Sequence, residues 1–132
     1  MIELFIAGTP APQGSKNAFR RGNRIALVEA NKNLPAWREQ VTKELQKLNE
    51  TNGIMIEGPI YVAAHFYIAR PKTNKRLYPT TKPDLDKLTR AIGDCLTKAM
   101  IIQDDSYVIE WNARKSYADT MPTGVLLTIE TF

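Results

Sequence analysis

The sequence predicts an α+β fold, a single domain in which two helices pack on one mixed β-sheet. Its 132 residues suit one hydrophobic core. Two segments carry apolar residues at helical spacing, and several short segments alternate apolar and polar residues as strands do. Residues 59–116 form a strand–helix–strand unit, whose crossover should be right-handed if the two strands are parallel. One sheet with both helices packed on it buries all these apolar faces.

The N-terminal half begins with a strand and a basic, hairpin-like segment. Residues 2–7 alternate as a strand, and the prolines and glycines of residues 8–14 end it. Residues 15–29 are basic, with turn-forming residues around Gly22 between two extended pieces. A helix is expected from about Pro35 to Leu48, with the proline in its first turn. Its predicted buried stripe consists of Leu34, Trp37, Val41, Leu45 and Leu48.

The C-terminal half supplies the remaining strands and the second helix. Residues 59–69 are fairly apolar on both faces, which indicates a central strand. A basic loop with three prolines, 70–83, leads to a helix from Asp84 to about Ala99. Residues 106–116 form a strand, and a turn leads to a last strand over 125–131. Three further residues are expected to pack in the core. They are Trp37 of the first helix, Cys95 of the second helix and Trp111 of the strand 106–116.

Composition indicates a globular protein without a membrane partner. The chain is 43% hydrophobic and 24% charged, and no apolar run approaches the roughly 20 residues that span a bilayer. The first residues lack the basic segment of a signal peptide. Cys95 is the only cysteine, which excludes an internal disulfide and a cysteine-based zinc site. We therefore expect a cytoplasmic protein.

Basic residues are concentrated in two segments without acids, Lys16–Arg24 and Arg70–Lys82. The net charge of +4 is mild evidence for a polyanionic partner, and this clustering strengthens it. Phe19 is an aromatic among cations, so it could stack at opened base pairs or simply staple a hairpin to the domain. The candidate DNA-contacting residues are Lys16, Phe19, Arg20, Arg21, Arg24, Lys72, Lys75, Arg76, Lys82 and Lys87.

Five of the six aspartates fall between positions 84 and 105. Such a cluster in a basic protein costs repulsion unless a cation lies there. Carboxylates without histidine or cysteine suit a hard ion such as Mg²⁺, the usual agent of phosphodiester hydrolysis. The candidate metal ligands are Asp84, Asp86, Asp104 and Asp105, with Arg90 and Lys87 as the nearest candidate cations for phosphate.

The topology raises a difficulty for this cluster. A helix that starts near the C-terminal edge of one strand returns to the opposite edge, so Asp104 and Asp105 should lie about a helix length from Asp84. Either the loop after Ala99 doubles back, or a second subunit completes the cluster. The sequence leaves both possibilities open.

Each polar candidate also has a structural explanation when it is taken alone. Asp84 suits a helix N-cap, and Asp94 suits a solvated ion pair with Arg90 or Lys98 on the same helix. The pair Asp104–Asp105 suits an ordinary turn. His65 is expected to be a strand side chain facing its neighbours.

A set of motifs between Lys82 and Lys115 resembles the signature of the RusA family of Holliday junction resolvases, found in bacteria, phages and prophages. An Asp-x-Asp that opens a helix, with Asp-Asp about twenty residues later, is far more specific than either part. The matching residues are Lys82-Pro83-Asp84-Leu85-Asp86-Lys87-Leu88, Ala91 to Asp94, Leu96-Thr97-Lys98-Ala99, and Asp104-Asp105 followed by Val108.

The resemblance implies a homodimer that binds four-way junction DNA, uses Mg²⁺ or Mn²⁺ and nicks two symmetric strands during recombination and repair. The family's essential aspartates fall on Asp84, Asp86 and Asp105, and Asp104 is the weaker member of its pair. The family's catalytic lysine falls on Arg90, a departure, because arginine keeps the charge but cannot release a proton near neutral pH. Asp94 matches a further acidic position.

Two other functions are compatible with these residues. One is a magnesium nuclease for branched DNA in general, and the other is a non-catalytic DNA-binding phage protein. The intact set of aspartates argues against a pure binder, because carboxylates repel phosphate. Residues 1–132 are thus interpreted as one RusA-like nuclease domain.

Overall fold

The computed structural model describes residues 1–14, 16–21, 24–29 and 31–132, with the backbone alone for the two strands within 16–29. Two helices and six strands occur in these ranges. In chain order they are β1 (Ile2–Ala7), β2 (Lys16–Arg21), β3 (Arg24–Glu29), α1 (Leu34–Asn52), β4 (Ile60–Ile68), α2 (Leu85–Lys98), β5 (Val108–Tyr117) and β6 (Gly124–Thr131), with a 3-10 turn at Asp105–Tyr107 before β5.

Four of the strands form one mixed sheet in the order β1-β6-β4-β5. The pair β4 and β5 is parallel, whereas β6 runs antiparallel to both β1 and β4. The α+β prediction, the central position of β4 and the strand–helix–strand unit are therefore confirmed. Strands β2 and β3 pair antiparallel as a separate hairpin, which confirms the predicted basic hairpin at backbone level.

The core lies between one face of the sheet and the two helices. Alternate side chains of β4 are buried there while their neighbours are half-buried on the other face, as the twofold period of a strand requires. The two helices contribute their apolar stripes to the same cluster. The buried residues that form its centre include Ile60, Val62, Ala64, Phe66, Val41, Leu45, Leu88, Ile92, Leu96 and Leu127.

Helix α1 ends at Asn52, one turn later than the predicted end at Leu48. Polar residues of the extra turn bond back to the helix, as Thr51 Oγ1 donates to the Lys47 carbonyl at 3.0 Å. Gly53, directly after the helix, adopts the left-handed conformation with φ 60°, and its N–H donates to the Asn49 carbonyl. Neither described helix has the length and apolar character needed to cross a membrane.

Trp111 is not a core residue, and that expectation is wrong. Its strand, β5, lies at the edge of the sheet, so the helices cover it incompletely and Trp111 is 37% exposed. The indole lies over Gly93 of α2, where an added Cβ would be 3.6 Å from the ring. Gly93 is consequently buried. Trp37, by contrast, is buried as predicted.

Candidate active site

The start of α2 presents two carboxylates to solvent. Asp84 occupies the N-cap position in extended conformation, yet its side chain makes no capping hydrogen bond. Asp86 lies in the first turn, and both residues are exposed. Capping therefore does not use the Asp84 carboxylate, which lies at the positive end of the helix dipole. Both side chains are available to a ligand.

Lys115 fixes the segment that leads into this helix. Its Nζ donates hydrogen bonds to the carbonyl oxygens of Thr81 and Pro83, both at 2.8 Å. These contacts join the C-terminal half of β5 to the residues directly before Asp84. The Lys115 ammonium thereby holds the backbone of Asp84 in register with the sheet, so it is a positioning residue for the carboxylates.

The root of the basic hairpin lies against the same helix turn. The Gln13 N–H donates to the Lys87 carbonyl at 2.9 Å, and the Lys87 side chain packs on Gly14. The Lys87 ammonium lies 3.6 Å from a carboxylate oxygen of Asp84. The hairpin thus leaves the domain beside the two aspartates. The candidate contacts Lys16, Phe19, Arg20, Arg21 and Arg24 themselves lie outside the described side chains.

Arg90 lies one helical turn after Asp86 on the exposed side of α2. Among the described residues it forms no ion pair and no side-chain hydrogen bond. As far as the described side chains go, its guanidinium is available to a phosphate near the two carboxylates.

The second pair of aspartates precedes β5. Asp104 caps the 3-10 turn by accepting a hydrogen bond from the Ser106 N–H at 2.8 Å. Hydrogen bonds from the backbone and hydroxyl of Ser106 hold the pKa of Asp104 below its usual range. Asp105 is exposed, and a hydrogen bond between its side chain and that of Asp104 contributes to the lowered pKa of Asp104. Asp104 thus serves the turn, which suits the weaker role that the resemblance gives it.

The two pairs lie toward opposite ends of α2. Because β4 and β5 are parallel, the helix begins near the C-terminal ends of both strands, whereas Asp105 precedes the N-terminal end of β5. A 14-residue helix is about 21 Å long. Accordingly, the described part of one chain contains no group of three acidic, histidine or cysteine side chains able to hold a metal. The loop after Ala99 does not double back: the Ile101 N–H bonds to the Leu96 carbonyl at the helix end.

Asp94 pairs with Arg38 of α1, not with the suggested residues of its own helix. This ion pair links the two helices about two turns further along α2 than Asp86. Cys95 is buried, and burial raises the pKa of its thiol, which confirms the packing role. His65 bonds its strand neighbours, with Nε2 at 2.8 Å from Ser116 Oγ and Nδ1 at 3.1 Å from the Tyr67 hydroxyl, as expected of a strand side chain.

The loop between β4 and α2 separates into internal and exposed cations. Arg70 forms a double hydrogen bond with Asp119 at 2.8 and 2.9 Å and lies 4.1 Å above the Tyr117 ring. It also donates to the carbonyl oxygens of Asn74 and Arg76. Arg70 therefore shapes the loop through these internal contacts. The candidate contacts Lys72, Lys75, Arg76 and Lys82 are exposed.

Comparison with known families agrees with this arrangement. The family model described as endodeoxyribonuclease RusA matches residues 7–130, which includes both aspartate pairs, the hairpin and the basic loop. The chain belongs to the RusA family. A relative in Bacillus subtilis strain 168, named "Uncharacterized protein YqaN", is 25% identical over 138 aligned residues, and the alignment covers 96% of this chain and 94% of the relative.

Membership of the RusA family makes the chain an endodeoxyribonuclease. Nucleases of the RusA type depend on a divalent metal ion. The donors at the start of α2 are carboxylate oxygens, the ligands that hard divalent ions prefer, and they are exposed. The residues present therefore fit such an ion, although the described part of one chain supplies only two of these donors at one place.

Two residues whose contacts position α2, Lys115 and Arg38, are not among the candidates predicted from the sequence. Lys115 alternates with Ala113 and Tyr117 on the face of β5 toward the helices, and a cation on such a face needs acceptors. That alternation was a usable signal. Arg38 carried none, because its partner Asp94 is 56 residues away in sequence and the pairing depends on how the helices pack.

Proposed function

We propose that this chain is a Mg²⁺-dependent endonuclease that resolves four-way DNA junctions by paired, symmetric nicks in recombination and repair. The observation that carries the proposal is the start of α2, where two exposed carboxylates lie between the basic loop and the root of the basic hairpin. The contact of Asp84 with Lys87 is an exposed ion pair at 3.6 Å. Basic groups around a carboxylate pair suit a substrate that is both a polyanion and a metal partner.

The metal in this proposal is held by Asp84 and Asp86 together with Asp105, and Asp104 contributes less because it caps its turn. Mg²⁺ is the expected ion, with Mn²⁺ tolerated, since the donors are carboxylate oxygens alone. When bound, it would stabilise charge on the transferring phosphoryl group and activate a water. Arg90 holds the phosphate, and Lys115 keeps the Asp84 backbone in place.

A homodimer would bring the separated aspartates together. Strand β5 is an edge strand, and Ile109 and Trp111 on it are 61% and 37% exposed. Such an edge favours pairing with another chain. Antiparallel pairing of two β5 strands about a twofold axis would set the N-terminal end of one beside the C-terminal end of the other. Each Asp84–Asp86 pair would then lie near Asp105 of the partner subunit.

The function is tested with four-way, Y-shaped and linear duplex DNA of matched sequence, each with and without Mg²⁺. We expect cleavage of the four-way junction at two symmetric positions, only with metal. Equal cutting of the Y-shaped substrate would favour a broader branched-DNA nuclease. Binding without cutting in both Mg²⁺ and Mn²⁺ would leave a DNA-binding protein and end the proposal.

The proposed role of Arg90 makes a prediction of its own. If the guanidinium neutralises phosphate charge, Arg90→Lys should keep substantial activity, while Arg90→Ala should lose about a hundredfold in the single-turnover cleavage rate. Junction affinity should change much less, because many other cations contribute to it. Equal rates for all three proteins would show that position 90 is only a solvated helix residue.

A further inference from the structure

Two large apolar side chains are exposed on the loop between β4 and α2. Leu77 is 76% and Tyr78 is 58% exposed. They are adjacent in sequence and are followed by Pro79, which is buried. Exposure of a leucine beside a tyrosine costs hydration free energy that a solvated loop of polar residues would avoid, so this pair calls for an explanation.

The loop that carries the pair is held at both ends. Before it, Arg70 binds Asp119 and the carbonyl oxygens of Asn74 and Arg76. Asn74 also donates from Nδ2 to the Tyr117 hydroxyl at 2.8 Å. After it, Lys115 binds the carbonyl oxygens of Thr81 and Pro83. These bonds lower the entropic cost of presenting a side chain to a ligand.

The surroundings of the pair are cationic. No acid occurs between Arg70 and Pro83 in the sequence, and the neighbouring Asp119 is already bonded to Arg70. The exposed cations around the pair are Lys72, Lys75, Arg76 and Lys82. A partner that places apolar surface on Tyr78 must therefore also carry negative charge close by.

We propose that Tyr78, supported by Leu77, stacks on the face of a base left uncovered where stacking is interrupted at the branch point of the DNA, while the cations of the loop hold the adjacent phosphates. The inference rests on the proposed function, since it takes branched DNA as the substrate. A nucleotide combines the apolar face of its base with a charged phosphate nearby, which matches an aromatic ring among cations. Paired bases of a linear duplex are stacked on each other and offer no such face, so this contact distinguishes branched from linear DNA.

The test compares the affinities of the full chain for a four-way junction and a linear duplex of equal length, without metal so that nothing is cut. For Tyr78→Ala we expect junction affinity to fall about tenfold and duplex affinity to change less than twofold. The dependence on salt should keep its slope, because no phosphate contact is lost. Tyr78→Phe should retain the junction preference.

Two matched variants distinguish the loss of stacking from the loss of a positive charge and from the removal of any exposed aromatic side chain. Lys75→Ala should lower the affinity for the junction and for the linear duplex alike, and should reduce the slope of log affinity against log salt concentration by about one unit. Phe132→Ala removes another exposed aromatic, 68% exposed at the chain end, and should leave both affinities unchanged. In addition, 5-iodouracil at the branch point should crosslink to Tyr78 of the unaltered chain and not when it is placed within an arm.

The outcomes distinguish this inference from the proposed function. A chain that prefers and cuts four-way junctions, but keeps its preference in Tyr78→Ala or crosslinks elsewhere, would overturn the stacking role alone. A chain that neither prefers nor cuts junctions would overturn the proposed function before any variant is made. Unfolding midpoints of all variants should match the parent, because the altered side chains are exposed.

Discussion

Asp86→Asn should abolish cleavage of a four-way junction while the protein still binds it. The change removes one negative charge and one ionic metal ligand but keeps the shape of the side chain, so we expect the cleavage rate to fall on the order of a thousandfold. Binding should be retained or tightened, since the lost carboxylate repels phosphate. Single-turnover cleavage in Mg²⁺ and gel-shift titration without metal measure the two effects.

Glu50→Gln provides the matched control for this variant. Glu50 is an exposed acid on α1, distant in sequence from both aspartate pairs, and its neutralisation should leave cleavage unchanged. Near-normal turnover of Asp86→Asn in Mg²⁺ would refute the assignment of the metal site to the start of α2. Equal losses in both variants would point to a general effect of charge on the protein.

Mixing two inactive variants should restore cleavage if each site combines residues of two subunits. In a dimer of one Asp86→Asn chain and one Asp105→Asn chain, one composite site carries both substitutions and the other carries neither. In an equimolar mixture after full subunit exchange, half of the dimers are mixed and a quarter of all sites are intact, so we expect single nicks at up to about a quarter of the total nicking rate of the unaltered protein. Each variant alone should be inactive.

The product pattern decides between a shared and a single-chain site. If each site were built within one chain, every site in the mixed dimer would carry one substitution, and the mixture would be as inactive as its components. Nicked junctions without resolved duplexes are the signature of one intact composite site. A mixture of Asp86→Asn with Asp84→Asn serves as the control, because both substitutions affect the same half of the site and no intact site can form.

Local patterns were sufficient to predict most of the fold. The alternation in 59–69 and the helical spacing in 84–99 depend on neighbours only a few residues away, and both elements occur as predicted. Trp111 was placed in the core because alternation gives the face of a strand but not its position in the sheet. The helices cover a strand at the edge of the sheet incompletely, and that β5 is such an edge strand follows only from the strand order.

The candidate site was predictable in residue type and only partly in geometry. The spacing of Asp84 and Asp86 at a helix start follows from the local sequence, and the exposure of both carboxylates agrees with a ligand role. The distance to Asp105 depends on the parallel pairing of β4 with β5 and, in the proposed function, on a second chain. The structural role of Arg70 was equally hidden, because its partner Asp119 is 49 residues away.

Strand β5 also fixes the distance between the two ends of the sheet at which the aspartates lie. Its ten residues span about 33 Å at 3.3 Å per residue, with Asp105 just before one end and the Lys115 that anchors Asp84 near the other. An extended strand in a sheet can neither stretch nor shorten. In the proposed dimer the length of β5 would therefore set the distance between the two active sites. The separation of the two nicks in the DNA would then depend on the number of residues in β5.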